Sequence, residues 1–393
     1  MLPMKLNARI AAVKPSATIG ITMRARELNA QGVNVITLAA GEPDFDTPEH
    51  IKDAAIKALR TGQTKYTPSS GIPALREAIC AKFARDNNLT YTPAQIIVSC
   101  GAKHALYNIF QVILEPGDEV TIPSPYWVSY PEFVTLGGGT SVFVQTTEAN
   151  GFRMTPAQLA AAITPRTRAI VINSPSNPTG MGYDAAALRA LADVLVRHPQ
   201  VAIVSDEIYE PLVYGGFAHA SIAAVAPELY ARTFTVNGFS KTYSMTGWRL
   251  GYVGCPDKAS ASAQQNLQDQ STTGTTSFAQ YGAIAALTGD QACVQTMRTA
   301  FNERRAYLVA ALNKIKGVRC PNPDGAFYVF PNIAALGLGS DELAMRLLDE
   351  ANIAVIPGNA FGADAHIRIS FATSLEALHE AVARFSRWVA ARK

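Results

Sequence analysis

The sequence predicts an α/β protein with a mostly parallel, seven-stranded sheet in a large domain and a smaller α+β domain beside it. Three observations carry this. Seven apolar runs, "QIIVSC" (95–100), "DEVTIPS" (118–124), "TSVFVQ" (140–145), "RAIVIN" (168–173), "VAIVSD" (201–206), "TFTVNG" (233–238) and "RLGYVGC" (249–255), are mostly continuous rather than alternating, as strands covered on both faces require. Runs with helical spacing, such as "AKHALYNIFQVIL" (102–114) and "DAAALRALADVLVRH" (184–198), fall between them. The 393 residues are 48% apolar and 17% charged, enough to build a large core.

The two ends read differently. "IGITMRARELNAQG" (19–32) is a helix stopped by Gly32. Beyond about residue 290 come a long helix, the strand candidate "GAFYVFPNI" (325–333) and the helix "DELAMRLLDEA" (341–351). "IAVIPG" (353–358), "HIRISFA" (366–372) and a closing helix from Ser374 follow. The expected division is an N-terminal segment, 1–46, that completes the small domain, a large domain over 47–290, and the small C-terminal domain over 291–393.

Composition excludes several classes. A net charge of +3 and the lack of a basic run give no reason to expect nucleic acid. The five cysteines, Cys80, Cys100, Cys255, Cys293 and Cys320, show no C-x-x-C, and the six histidines no paired helical spacing, so no metal site is expected. Scattered cysteines, an N-terminus without a signal-peptide core and no long uncharged apolar stretch predict a soluble cytoplasmic protein with no membrane partner.

In open α/β sheets ligands bind beyond the carboxyl ends of the strands. After "QIIVSC" come Gly101, Ala102 and Lys103, where a helix start presents free N–H groups to an anion. After "RAIVIN" comes "SPSNPTG" around Asn177, after "VAIVSD" come Asp206 and Tyr209, and after "TFTVNG" comes a small-residue loop holding Lys241, with Arg249 eight positions on. Singly, each has an ordinary explanation: a helix start, a turn, a strand-end carboxylate, a solvated lysine. Together they match the needs of pyridoxal phosphate. A lysine amine holds the cofactor's aldehyde, a carboxylate keeps its ring nitrogen protonated, a hydroxyl and an amide meet its phenolic oxygen, and cationic and backbone donors take its phosphate.

Seven motifs in order, "AGEPDFDTPEHI", "KYTPSSGIPALREAI", "SPYWVSYPE", "NSPSNPTG", "SDEIYE", "SKTYSMTGWRLGY" and "HIRISFATS", resemble class I pyridoxal-phosphate aminotransferases of fold type I, in the bacterial-type aspartate aminotransferase branch. The resemblance runs from about residue 12 to the C-terminus. It implies that Lys241 binds the cofactor and then moves the substrate proton, that Asp206 pairs with the ring nitrogen, and that Tyr209 and Asn177 meet the phenolic oxygen. It also implies that Trp127 lies against the ring and that Arg249 clamps the phosphate, with Ser240, Gly101, Ala102 and Lys103 nearby. Tyr66 would reach the phosphate of a neighbouring subunit, making a homodimer with shared sites. Arg368 would fork the substrate α-carboxylate, with the backbone of Gly41 closing over it. Relatives often carry serine where this chain has Gly238, which puts more of the phosphate on Ser240 and Arg249.

The same resemblance assigns Lys103 to a distal carboxylate and places Lys14 and Thr18 on a segment that closes over the substrate. Both lysines favour an acidic substrate, because opposite charges must be desolvated together. The expected reaction is transfer of the amino group of L-aspartate to 2-oxoglutarate by a ping-pong route. Prephenate or an aromatic amino acid is the alternative substrate, and β-elimination on the same cofactor a further one. A regulatory module with an aminotransferase-like body would need room for a DNA-binding domain ahead of it. A nicotinamide dehydrogenase would need a G-x-G-x-x-G after its first strand. The resemblance also implies cis peptide bonds at Ser124-Pro125 and Asn177-Pro178.

Overall fold

The computed structural model describes residues 4–15 and 17–392, with residues 17–19 described in their backbone only. Twelve strands appear among them: β1 Ile36–Thr37, β2 Ile96–Ser99, β3 Glu119–Ser124, β4 Thr140–Gln145, β5 Thr167–Asn173, β6 Ala202–Asp206, β7 Thr233–Gly238, β8 Gly251–Gly254, β9 Tyr328–Val329, β10 Ile353–Ala354, β11 Ile356–Pro357 and β12 Ile367–Ser370. Each of the seven apolar runs contains one strand of the large sheet, whose order is β2-β8-β7-β6-β5-β3-β4. Only β8 runs against its neighbours; the other pairs from β7 to β4 are parallel.

Successive side chains on a strand face opposite ways. On β5, Ala169 and Val171 join one core with Val204, Leu106, Ile109 and Phe110, while Ile170 and Ile172 join another with Ile203, Leu188, Leu191 and Leu195. Both faces are therefore covered, which is why the runs show no alternation. Each buried Val, Leu, Ile or Phe among them contributes roughly 1.5–3 kcal/mol on leaving water.

The smaller sheet, β11-β12-β9, is antiparallel. The N-terminal segment pairs β1 with β10 in a separate two-stranded sheet and reaches β12 through Leu38, whose carbonyl accepts from the Ser370 amide and whose side chain packs with Leu343, Leu347, Ile369 and Phe385. The helix Ala17–Ala30 ends before Gly32, whose φ is 87°, and Ser374 caps the closing helix Leu375–Ala391 by accepting from the Ala377 amide. The bonds at Ser124-Pro125 and Asn177-Pro178 are cis, and so is Ser174-Pro175, which the sequence reading did not anticipate.

Register brings the strand ends together. Asn173 pairs with Asp206, Asp206 with Val236, Gly238 with Gly251, and Ser99 also with Gly251. Because β8 is antiparallel, its beginning lies at the carboxyl ends of its neighbours, so Arg249 and the Lys241 loop meet at one edge. Gly251 is needed there: a Cβ on it would come 2.1 Å from the Ala102 nitrogen. Gly238 is similarly enclosed, with a Cβ site 3.1 Å from the Gly251 Cα and 3.2 Å from the Leu250 carbonyl.

Candidate active site

A cavity of about 670 Å³ opens at this edge. Its wall includes Gly41, Ala102, Lys103, Trp127, Asn177, Asp206, Tyr209, Ser240, Lys241, Arg249 and Arg368, all named from sequence. Five cationic side chains (Arg26, Lys103, Lys241, Arg249 and Arg368) face two carboxylates (Glu42 and Asp206). The balance suits a ligand rich in negative charge.

Asp206 ends β6 and is 4% exposed. Its carboxylate accepts from the Tyr130 hydroxyl at 2.6 Å and from the Ile208 amide at 3.3 Å. Burial lifts its pKa to about 6, against those two bonds and the charge of Lys241. A carboxylate so placed gains from a cationic or proton-bearing partner.

The Lys241 ammonium bonds the Gly41 carbonyl and lies 5.9 Å from the centre of the Phe327 ring. Its position in the cleft brings its pKa down to about 8. Burial is the main cause; Arg368, Arg249 and Lys103 add to it, and Glu42 opposes it. The fraction of free amine therefore grows as pH rises through about 8 rather than two units higher.

Arg249 sits in the left-handed region, φ 54°, and donates to the Thr246 carbonyl at 2.8 Å and the Cys100 carbonyl at 3.3 Å. Gly101 N-caps the helix Ala102–Ile113 with φ 88°. A Cβ on it would come 2.5 Å from Arg249 Nη2, so a side chain there would displace the guanidinium. The helix start and Arg249 thus form a cradle with an anion-binding character. Lys103 lies 5.1 Å from the centre of the Trp127 ring, and burial, followed by the charge of Arg249, lowers its pKa.

At the other end of the cavity Arg368 is 2% exposed on β12. It donates to Asn177 Oδ1 at 2.9 Å and to the Ala39 carbonyl at 2.8 Å, and it stacks 4.5 Å from the Tyr328 ring centre. Its Nε is buried with no partner among the described residues. Tyr209 shares a 2.9 Å hydrogen bond with Tyr328.

Among the described residues, Gly101, Lys14 and Tyr66, named from sequence, are not on this wall, Gly101 standing behind Arg249 in the cradle. Lys14 is exposed, with its backbone amide bonded to Glu132 Oε2 at 3.0 Å. Tyr66 is 94% exposed. The Thr18 side chain lies outside the described residues.

Sequence reading missed Tyr130, Tyr328, Glu42 and Arg26. Tyr130 was within reach, since it stands three positions after Trp127 in the same motif, and its ring packs edge-on against Trp127 with centres 5.3 Å apart. Glu42 directly follows Gly41, and its carboxylate accepts from the Thr246 hydroxyl at 2.9 Å. Tyr328 and Arg26 carried no signal beyond their places in a short strand and a helix.

Comparison with known proteins points the same way. The sequence matches the family "Aminotransferase class I and II" over residues 33–385. It is 56% identical to an aspartate aminotransferase of Geobacillus stearothermophilus over 99% of this chain and 100% of that one. It is 52% identical to an aspartate/prephenate aminotransferase of Cereibacter sphaeroides over 98% of both chains. The fold superposes on an aspartate aminotransferase of Thermus thermophilus, solved with maleate, with a TM-score of 0.94, 48% identity and coverage of 98% of this chain and 100% of that one. For the aspartate aminotransferase of Rhizobium meliloti the TM-score is 0.95 at 43% identity, with 99% of both chains covered. Matched over nearly its whole length in sequence and fold, and carrying its strand-end lysine, aspartate and arginines on one cavity, the chain belongs to the class I and II aminotransferases.

Proposed function

We propose that this chain is an aspartate aminotransferase that passes the amino group of L-aspartate to 2-oxoglutarate by a ping-pong route. One observation carries the reading. Lys241 and Asp206 stand at the ends of neighbouring strands on the same cavity wall, between an anion cradle at Arg249 and a buried arginine at Arg368. Relatives named for aspartate, and others named for aspartate and prephenate, support the dicarboxylic substrate and a dual specificity.

Members of this family use pyridoxal phosphate, and the residues present fit it. The Gly101–Arg249 cradle would take the phosphate, and the raised carboxyl of Asp206 would hold the ring nitrogen in its protonated form. Lys241 is the amine at the right edge, and Trp127 offers a flat face. When bound, the cofactor supplies an electron sink that acidifies the substrate Cα–H.

The protein does the rest. Arg368 would bind the α-carboxylate through the edge bearing its unpartnered Nε, held in place by Asn177 and the Ala39 carbonyl. Lys103 would meet the distal carboxylate, and Lys241 Nζ, with its lowered pKa, would take the Cα proton from one position and return it at another. Tyr209 and Asn177 would orient the ring's phenolic edge.

The chain is further proposed to work in the cytoplasm, consistent with five unpaired cysteines. Among the described residues no helix is long and apolar enough to cross a membrane. It would act as a homodimer in which Tyr66, an aromatic side chain left 94% exposed, completes the partner's site. In this assignment residues 1–46 and 291–393 form the small domain and 47–290 the large one.

The test is a panel of donors with 2-oxoglutarate, including aspartate and phenylalanine, plus prephenate with glutamate. Borohydride labelling of the holoenzyme is run alongside. Turnover with aspartate and a label on Lys241 are expected. A label elsewhere, or turnover with neither aspartate nor prephenate, would sink the assignment.

A further inference from the structure

Behind Asp206, on the opposite side of the β6 terminus from the cavity, lies a second charged cluster, none of whose members lines the cavity wall. Lys82 and Asn87 come from the helix Pro73–Asn87. Ser205, Glu207 and Glu210 come from the end of β6 and the turn after it, and His219 and Ser221 from the loop before the helix Ile222–Val225. Lys82 is 5% exposed, Glu207 1% and Glu210 9%.

The bonds close on one another. The Lys82 ammonium pairs with Glu210 and donates to Asn87 Oδ1 at 2.6 Å. Asn87 Nδ2 donates to Glu210 Oε2 at 2.6 Å and to Glu207 Oε2 at 3.2 Å, bridging the two carboxylates. Glu207 also accepts from the Ser221 and Ser205 hydroxyls at 2.6 and 2.8 Å and meets His219 Nε2 at 3.1 Å. Glu207, Glu210 and His219 offer ligand atoms within 4.8 Å of one another, and the Lys82 ammonium is the cation beside them.

Buried ion clusters gain little net stability, because desolvation offsets the Coulomb attraction. Their attested use is to specify one geometry. Here the geometry concerns a single turn. The Glu207 amide bonds the Val236 carbonyl and the Glu210 amide bonds the Glu207 carbonyl, both at 2.9 Å. Glu207 and Glu210 therefore bracket Tyr209, and Asp206 directly precedes the first anchor.

We propose that the Lys82–Asn87–Glu210–Glu207–His219 cluster is a positioning device that holds the 206–210 turn from behind and so sets how Asp206 and Tyr209 face the cofactor. The inference rests on the aminotransferase reading above. These are positioning residues: none of them reaches the cavity, and each acts through Asp206 or Tyr209.

The test compares wild type, Lys82→Met, Lys82→Arg and the double variant Lys82→Met/Glu210→Gln. Cofactor-free protein is titrated with pyridoxal phosphate, the pH dependence of the bound cofactor's visible band is recorded, and Tm is measured. Loss of the ammonium is expected to raise the cofactor Kd by a factor of about ten or more and to shift the band's pH dependence, since a misplaced supporting shell loosens the groups it aims. Lys82→Arg is expected to restore most of both. Should Lys82→Met not fold, the double variant, which removes both charges together, decides by the same two readouts. A lowered Tm with wild-type Kd and band would overturn the proposal, leaving the cluster a purely structural element. A wild type that takes up no pyridoxal phosphate defeats the functional reading itself; variants that bind as well as a binding wild type defeat only the positioning role.

Discussion

Asp206 and Glu207 are consecutive, both buried, and burial pushes both carboxyls up, yet they end on opposite sides of their ordinary values. For Asp206 the upward push wins, to about 6, because Tyr130 and one amide offset only part of it. For Glu207 the same push is outweighed by the bond and charge of His219 and by the Ser221 and Ser205 hydroxyls, so its pKa falls. The strand's two-residue period sends one to the cavity face and the other to the rear. The Glu207 carboxylate is fully supplied by its own cluster, while Asp206 is supported only in part by the protein and is suited to a partner beyond it. That contrast is the one expected between a group that holds structure and one proposed to bind ligand.

Removing the cavity's amine should have the largest effect. Lys241→Ala is expected to cut turnover by at least about 10³-fold and to abolish the cofactor's visible band, since nucleophile and proton carrier are lost together. Absorbance and steady-state rates check this, and a variant keeping both would remove Lys241 from the mechanism.

On the rear side, Glu207→Gln should cost about 3 kcal/mol of stability, because it leaves His219 and its neighbours without their anion. The sign against pH follows from the lowered pKa of Glu207. Its contribution is present above the ordinary carboxylate value and is lost as pH falls through the folded value. Denaturant titrations of wild type and variant should therefore converge in acid; curves that stay parallel would contradict the pairing.

Arg368→Lys should raise KM by about 10- to 100-fold for every amino acid substrate alike, because a lysine cannot make the two-point contact. An effect confined to dicarboxylates would move Arg368 from the shared carboxylate to the distal one.

The smallest expected effect is a gain. In cofactor-free protein Asp206→Asn should raise stability at pH 7 by about 1–3 kcal/mol, while weakening cofactor binding. The folded pKa of Asp206, about 6, lies above its ordinary value of 3.8. Its favourable contribution is thus complete below the unfolded value and lost as pH rises through about 6. A neutral or destabilising result at pH 7 would show that Asp206 is better compensated than its contacts indicate.

The strands of the large sheet were legible because covered strands write themselves as unbroken apolar runs, and the helices between them as periodic ones. The strand-end rule then picked out Lys241, Asp206, Asn177 and Gly101, and motif resemblance added Trp127 and Arg368. The reading faltered where position depends on contacts far apart in sequence. Lys14, expected near the substrate, is not on the cavity wall, while Arg26 of the following helix is. The direction of a helix end cannot be read from its own residues.

By itself, then, the sequence determined which segments become strands of the large sheet, which residues stand at their ends, and that one lysine, one aspartate and two arginines fit the needs of one cofactor chemistry. Only the tertiary structure decided the register that sets Gly238 against Gly251 and Asn173 against Asp206. It also decided the meeting of Lys82 with Glu210, 128 positions away, and of Tyr130 with Asp206, 76 away. Period and composition are local properties of a chain, whereas a buried charge finds its partner only after the sheet has closed around both.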